Sequence, residues 1–163
     1  MKMRLLPIVE VGMEVVVNAS PLILLGKIDR LHLLNELFDA IYIPDAVMQE
    51  IMATDKTKLE LCHALHHHFV VSNQVAVLGL LGRLHIGEAE VMIGAIEKGI
   101  RNVVLDDGLA RNKAKQLGLA VTGTLGILLR AHRNGLIDDL RAEIENLKRA
   151  GMYIADDIIA QIL

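Results

Sequence analysis

The sequence is poor in the residues that stabilise a protein without a large core. Its single cysteine, Cys62, excludes an intramolecular disulfide framework. Tryptophan is absent, and only two tyrosines and two phenylalanines occur among 163 residues. We therefore expect a core of leucine, isoleucine, valine and alanine, as in buried parallel strands and the helices that cover them. A chain of this length suits one domain.

An excess of positive charge and long apolar runs are also missing. The formal net charge is -3, so the chain has no overall basic field that would attract nucleic acid, although a local basic patch is compatible with it. No apolar run reaches the roughly 18 residues of a membrane helix, because Gly79, Gly82 and Arg83 interrupt the longest one. We expect a soluble cytoplasmic protein.

The N-terminus resembles a signal peptide only loosely. Two basic residues precede a short apolar stretch, but Glu10 and Glu14 interrupt it early and no small-residue cleavage site follows. Met13 stands directly before the first strand pattern. We predict that the compact domain spans residues 13–163 and that residues 1–12 are an N-terminal extension; the alternative is an added edge strand.

Strand and helix patterns alternate along the chain. Four short apolar runs predict strands over residues 15–17, 40–43, 102–105 and 119–122. Apolar spacings of three and four residues predict helices over residues 22–28, 31–37, 45–52, 54–68, 74–84, 88–98, 109–117, 124–133, 138–150 and 155–162. This order predicts a three-layer α/β/α fold with a central, mostly parallel sheet.

Polar and acidic residues follow the predicted strands or lie on the neighbouring helices. The set comprises Asn18, Glu50, Glu88, Glu90, Asp106 and Asp107. The carboxyl ends of parallel strands share one edge of a sheet, where α/β proteins bind ligands. Crowded carboxylates repel unless a cation neutralises them, and hard oxygen ligands suit Mg²⁺ or Mn²⁺. Alternatively, these residues are helix caps, partners of helix dipoles or solvated side chains.

Five segments, in order, resemble the PIN-domain family. They are VVNASPLI at 16–23, IYIPDAVMQE at 41–50, GEAE at 87–90, VLDDGLAR at 104–111 and GTLGILLRA at 123–131. The resemblance covers about residues 14–160 and is to an uncharacterised subfamily related to VapC-type toxin nucleases. It implies a metal-dependent ribonuclease with acids at the sheet edge, an RNA substrate and an antitoxin protein as partner.

The resemblance also assigns roles to individual residues. The first acid of the family falls on Asn18, where the general pattern has aspartate, so one negative charge is missing. The second falls on Glu50, the third on Glu90 with Glu88 beside it, and the fourth on Asp107 with Asp106 adjacent. Glu50, Glu90 and Asp107 are the expected catalytic residues, and all six side chains are candidate ligands of Mg²⁺ or Mn²⁺.

Two hydroxyl residues match supporting positions of the family. Ser20 matches a small hydroxyl residue that supports the first acid, and Thr124 matches a threonine near the same edge. The second hypothesis, from another class, is a PIN-fold binding or regulatory module with weak or no catalysis. The missing charge at Asn18 favours the module, whereas the presence together of Glu50, Glu90 and Asp107 favours the enzyme.

Basic residues follow the last acidic pair. Arg111, Lys113 and Lys115 lie on the next predicted helix and are candidates for contacts with RNA phosphates. The alternative is an ordinary charged helix face.

A histidine cluster, His63 and His66–His68, suggests a transition-metal site, because His63 and His67 are four residues apart. No cysteine or acid has the spacing that would complete such a site, so we interpret the cluster as a solvated helix face.

The apolar helices over residues 22–37 and 75–84 predict self-association. They carry more apolar surface than one small sheet needs for its cover. We therefore expect a homodimer or a larger assembly.

Overall fold

The structure, a computed structural model, describes residues 13–54 and 67–163. Its centre is a five-stranded, wholly parallel sheet with the strand order β3-β2-β1-β4-β5. The strands are β1 Glu14–Val17, β2 Ala40–Pro44, β3 His67–Phe69, β4 Asn102–Val104 and β5 Ala120–Thr122. The described helices are α1 Ala19–Lys27, α2 Leu33–Leu37, α3 Asp45–Thr54, α4 Gln74–Leu80, α5 Ile86–Lys98, α6 Gly108–Gln116, α7 Thr124–Arg133, α8 Leu140–Arg149 and α9 Asp156–Ile162. The predicted three-layer α/β/α fold with a parallel sheet is confirmed.

The middle strand, β1, fixes the place of the candidate site. Val15, Val16 and Val17 are fully buried, as expected of a parallel strand covered on both faces. β1 pairs with β2 on one side and with β4 on the other. The strand order therefore reverses between β1 and β4, and open α/β sheets bind their ligands in the crevice at such a switch point.

Strand β3 begins earlier than expected, because the sequence predicts a helix as far as residue 68 and a brief extended piece over residues 69–71. His67 and Phe69 instead pair with Tyr42 and Pro44 of β2. The ring of Phe69 packs so closely on Gly94 of α5 that a Cβ at residue 94 would lie 2.7 Å from it. Tertiary contacts therefore override the helical spacing of this segment.

Two histidines of the cluster lie in a strand and not in a helix. His67 and His68 are exposed residues of β3, so the predicted helical face is wrong for them. His63, His66 and Cys62 lie outside the described residues.

The two apolar helical regions differ in how far their apolar side chains are buried. Leu22, Leu25 and Leu33 of the first two helices are buried in the core of this chain, so the apolar excess predicted for residues 22–37 is wrong. On α4, Val75 and Leu78 are 82% and 64% exposed. None of the described helices is long and apolar enough to cross a membrane.

Candidate functional site

Asn18 follows β1 and lies at the reversal of strand order. Its backbone N–H donates to the carbonyl of Val104, the last residue of β4, over 3.1 Å. It occupies the N-cap position of α1, yet its side chain makes no capping bond. The side-chain oxygen Oδ1 is buried and has no hydrogen-bond partner among the described residues. A buried polar atom left unpaired costs free energy, so this oxygen indicates a place for a ligand.

Gly87, in the first turn of α5, brings that helix close to Asn18 and Glu50. A Cβ at residue 87 would lie 3.3 Å from Asn18 Oδ1 and 3.3 Å from Glu50 Oε2. Both oxygens thus approach the same point at the start of α5, where a side chain on residue 87 would be crowded. Glu50 reaches this point from α3.

Glu88, the next residue, is a buried carboxylate between other acids. Burial is the main cause that raises its pKa above the ordinary value, and the charges of Asp107 and Glu50 raise it further. The hydrogen bond from the backbone N–H of His85 to Glu88 Oε2, 3.0 Å long, lowers the pKa, as does the charge of His85. Glu88 is therefore electrostatically coupled to both Glu50 and Asp107.

Asp107 and Asp106 play different parts in the structure. Asp107 caps α6, where its Oδ2 accepts from the backbone N–H of Ala110 over 2.9 Å. Asp106 Oδ1 accepts from the backbone N–H of Thr124, and its Oδ2 accepts from the Thr124 hydroxyl, both over 2.7 Å. The Ser20 hydroxyl also donates to Asp106 Oδ2 over 3.3 Å. Ser20 and Thr124 thus hold Asp106, rather than Asn18, and tie the end of β4 to α1 and α7.

Glu90 lies on another side of α5 from Glu88. At 3.6 residues per turn, side chains two positions apart point about 200° apart. Glu90 is 5% exposed. Its Oε2 accepts from the backbone N–H of Ala46 over 2.8 Å, and its Oε1 from Gln74 Nε2 over 3.3 Å. The structure therefore brings Asn18 and Glu50 together beside Gly87, places Glu88 within electrostatic reach of Glu50 and Asp107, and engages Glu90 with α3 and α4.

The basic residues of α6 differ in their contacts and in their exposure to solvent. Arg111 Nη1 donates to the carbonyl of Leu105 over 3.0 Å, and a Cβ at Gly123 would lie 2.8 Å from the same nitrogen. Arg111 is thus folded back against the sheet edge. Lys113 is half-buried and Lys115 is exposed.

Two neighbours of the acids were missed in the sequence. His85 supplies the N–H that Glu88 accepts, and Gly87 leaves the space that Asn18 and Glu50 share. A side-chain acceptor three residues after a helix start is the spacing of a capping box. That spacing was the available signal for the pair His85 and Glu88.

The donor set fits a hard cation held by few protein ligands. In residues 13–54 and 67–163, no three histidine, cysteine, aspartate or glutamate side chains are grouped closely enough to hold a metal ion. Such a set excludes a closed cage like that of structural zinc at this edge. Mg²⁺, by contrast, keeps several waters and binds through one or two carboxylates, so the unpaired oxygen of Asn18 and the neighbouring acids suit it.

Residues 14–163 match the DUF3368 family model, which is described as a PIN domain. No curated protein is similar enough to count as a match.

Proposed function

Because this chain belongs to the PIN-domain family, whose members are generally nucleases, we propose that it is an endoribonuclease that depends on Mg²⁺ or Mn²⁺. The observation that carries the proposal is the buried, unpartnered Oδ1 of Asn18, which faces the start of α5 together with a carboxylate oxygen of Glu50. An oxygen so placed needs a cation or a donor to satisfy it.

Four side chains make up the proposed site: Asn18 and Glu50 would hold the ion, and the carboxylates of Glu88 and Asp107 would add negative charge beside it. When bound, such an ion activates a water molecule and neutralises charge on an attacked phosphate. Asn18 contributes a neutral oxygen, and the acids contribute negative charge. The raised pKa of Glu88, caused chiefly by burial, means that its carboxylate is ionised at a cost that a neighbouring cation removes.

RNA binding would fall to α6, the helix that Asp107 caps. Lys115 is exposed on α6 and Lys113 is half-buried there, so their ammonium groups suit contacts with phosphates. Arg111 instead holds the sheet edge through Leu105. Since aromatic residues are few, recognition would rest on the RNA backbone and shape rather than on base stacking.

The proposal includes a protein partner, since PIN nucleases often pair with antitoxins. As a toxin, the chain would arrest growth when expressed alone and would be silenced by its antitoxin. Inducible expression of the wild type and of Glu88→Gln tests this role. Equal growth of both strains would contradict it.

Calorimetric titration with Mn²⁺ and cleavage of structured RNA test the enzymatic function. We expect Glu50→Gln and Glu88→Gln to bind Mn²⁺ about tenfold more weakly or worse, because each loses a charge near the ion. Glu145→Gln is the matched control, because α8 contributes none of the four site residues. Wild-type binding by both site variants would contradict the proposal.

The alternative function, a PIN-fold binding module, is favoured by one observation. Asn18 supplies no charge where the general PIN pattern has an aspartate. Retention of labelled RNA in the presence of Mn²⁺ without any cleavage would identify the chain as such a module.

A further inference from the structure

We infer that Glu90 is a positioning residue that anchors the start of α3 to α5 and thereby fixes Glu50 in the proposed metal site. The anchor is the bond from the backbone N–H of Ala46 to Glu90 Oε2, 2.8 Å long. The importance of Glu50 for the metal rests on the proposed function, whereas the anchoring itself does not.

The chemistry of a helix start explains why a buried carboxylate lies there. The first N–H groups of a helix have no partner within the helix, and the helix dipole favours negative charge at that end. Ala46 is the second residue of α3. Glu90 therefore satisfies one of these donors with a charge-assisted bond, in a place where it is 5% exposed.

The same bond sets the position of Glu50. Ala46 and Glu50 are four residues apart on α3, so they share one face of that helix. Ala46 meets Glu90, and Glu50 Oε2 lies 3.3 Å from where a Cβ of Gly87 would be. The two contacts run in opposite directions along the two helices: Ala46, earlier in α3, meets Glu90, later in α5, whereas Glu50, later in α3, approaches Gly87, earlier in α5. A slide or rotation of α3 would therefore move Glu50 away from Gly87.

A second contact restrains the Glu90 carboxylate from the other side. Gln74 Nε2 donates to Glu90 Oε1 over 3.3 Å and to the carbonyl of Val71 over 2.8 Å. Both oxygens of Glu90 thus accept bonds from protein donors. This is the environment of a structural carboxylate and differs from that of the unpartnered Asn18 oxygen.

Glu90→Gln and Glu90→Asp separate anchoring from metal ligation. Glutamine keeps the length and an oxygen that accepts from Ala46, but loses the charge and the acceptor for Gln74 Nε2. Aspartate keeps the charge but is one methylene too short to reach. An anchor is preserved better by glutamine, and a ligand to Mg²⁺ or Mn²⁺ is preserved better by aspartate.

Hydrogen exchange of the full-length, metal-free protein tests the anchor without reference to function. We expect the amides at the start of α3 to exchange about tenfold faster in Glu90→Asp than in the wild type, and within about twofold of the wild type in Glu90→Gln. Unchanged exchange in Glu90→Asp would overturn the anchoring role.

Titration of the same proteins with Mn²⁺ tests the link to the site, with Glu88→Gln as the comparison. We expect Glu90→Gln to keep the wild-type Kd within about twofold and Glu90→Asp to weaken it several-fold, while Glu88→Gln weakens it about tenfold. A loss in Glu90→Gln equal to that in Glu88→Gln would overturn the inference and make Glu90 a ligand. Failure of the wild type to bind Mn²⁺ would overturn the proposed function, and the exchange measurement would still decide the anchoring.

Discussion

Asn18 gives the proposed metal site a neutral oxygen where the general PIN pattern has an aspartate. Its amide is buried, its Oδ1 is unpartnered among the described residues, and its backbone joins the ends of β1 and β4. The backbone thus holds residue 18 in place, and replacement of asparagine by aspartate, which has the same shape, changes only the charge of its side chain.

Asn18→Asp should tighten Mn²⁺ binding by about tenfold. Attraction between a new carboxylate and a divalent cation is on the order of a few kcal/mol in a partly shielded site, and repulsion from Glu50 and Glu88 cancels part of it. A net gain of about 1.4 kcal/mol corresponds to the tenfold change. Calorimetry of both proteins measures it, with Asn18→Ala as the variant that should bind more weakly. Equal or weaker binding by Asn18→Asp would remove residue 18 from the metal's ligands.

Glu88 should make the stability of the metal-free protein depend on pH. Its folded-state pKa is raised, mainly by burial, so the folded protein binds this proton more tightly than the unfolded chain. The contribution of Glu88 to stability is therefore fully present below its unfolded value and is lost as pH rises through the raised value.

Glu88→Gln, which mimics the protonated form, should melt a few degrees higher than the wild type at pH 7–8. A change of about 1 kcal/mol shifts Tm by roughly 2–4 °C in a chain of this size. The two proteins should melt alike near pH 4. Thermal melts across this range measure the difference. Saturating Mn²⁺ should offset the difference, because the wild type binds the ion about tenfold more tightly and is stabilised more. A constant difference at every pH would contradict the assignment.

Element α5 organises the site, because its first turns contact β1, α3 and α4 through different residues. Gly87 faces Asn18 and Glu50, Glu88 faces the acids, and Glu90 caps α3. Sequence reasoning placed all of these acids at one edge. Residues two apart on a helix cannot share a face, but which of Glu88 and Glu90 faces the edge depends on how α5 rotates against the sheet. Neighbours distant in sequence set that rotation, so the local pattern could not supply it.

Gly87→Ala should weaken Mn²⁺ binding by about tenfold. Its Cβ would lie 3.3 Å from both Asn18 Oδ1 and Glu50 Oε2, so each oxygen must give way by a few tenths of an ångström and the added methyl group occupies the space between them. Gly79→Ala on α4 is the matched control, since a Cβ there meets nothing within 4 Å. Mn²⁺ titration compares them. An equal, small effect of both substitutions would show that the ion does not bind in the space between Gly87, Asn18 and Glu50.

Strand β3 shows the limit of the sequence at the level of elements. The other four strands carry apolar, mostly β-branched residues and were predicted near their observed places. His67 and His68 lack that signature, and their strand exists because β2 and Gly94 offer a partner and a space for Phe69. Such contacts between distant segments leave no mark on local periodicity.

At the scale of the whole molecule, we predict a homodimer that covers the exposed face of α4. Val75 and Leu78 are large apolar side chains left in solvent on one short helix, and adjacent exposed apolar residues favour association. Light scattering should give twice the chain mass, and Val75→Lys with Leu78→Lys should give a monomer of unchanged fold. Tyr153→Lys is the control, because this residue is 89% exposed and lies between α8 and α9 rather than on α4. A wild-type monomer at high concentration would contradict the prediction.

Because strand order reverses at β1, the central sheet can close only late in the synthesis of the chain. During synthesis β2 and β3 can pair beside β1 on one side, but its other side stays open until residues 102–104 have been made. An unpaired edge of three consecutive valines is a template for aggregation. A chain truncated before residue 102 should therefore be found in the insoluble fraction. The backbone of Asn18 bonds to Val104 only when β4 enters the sheet, and Asp107 follows β4 in the chain, so an unfinished chain carries no complete site.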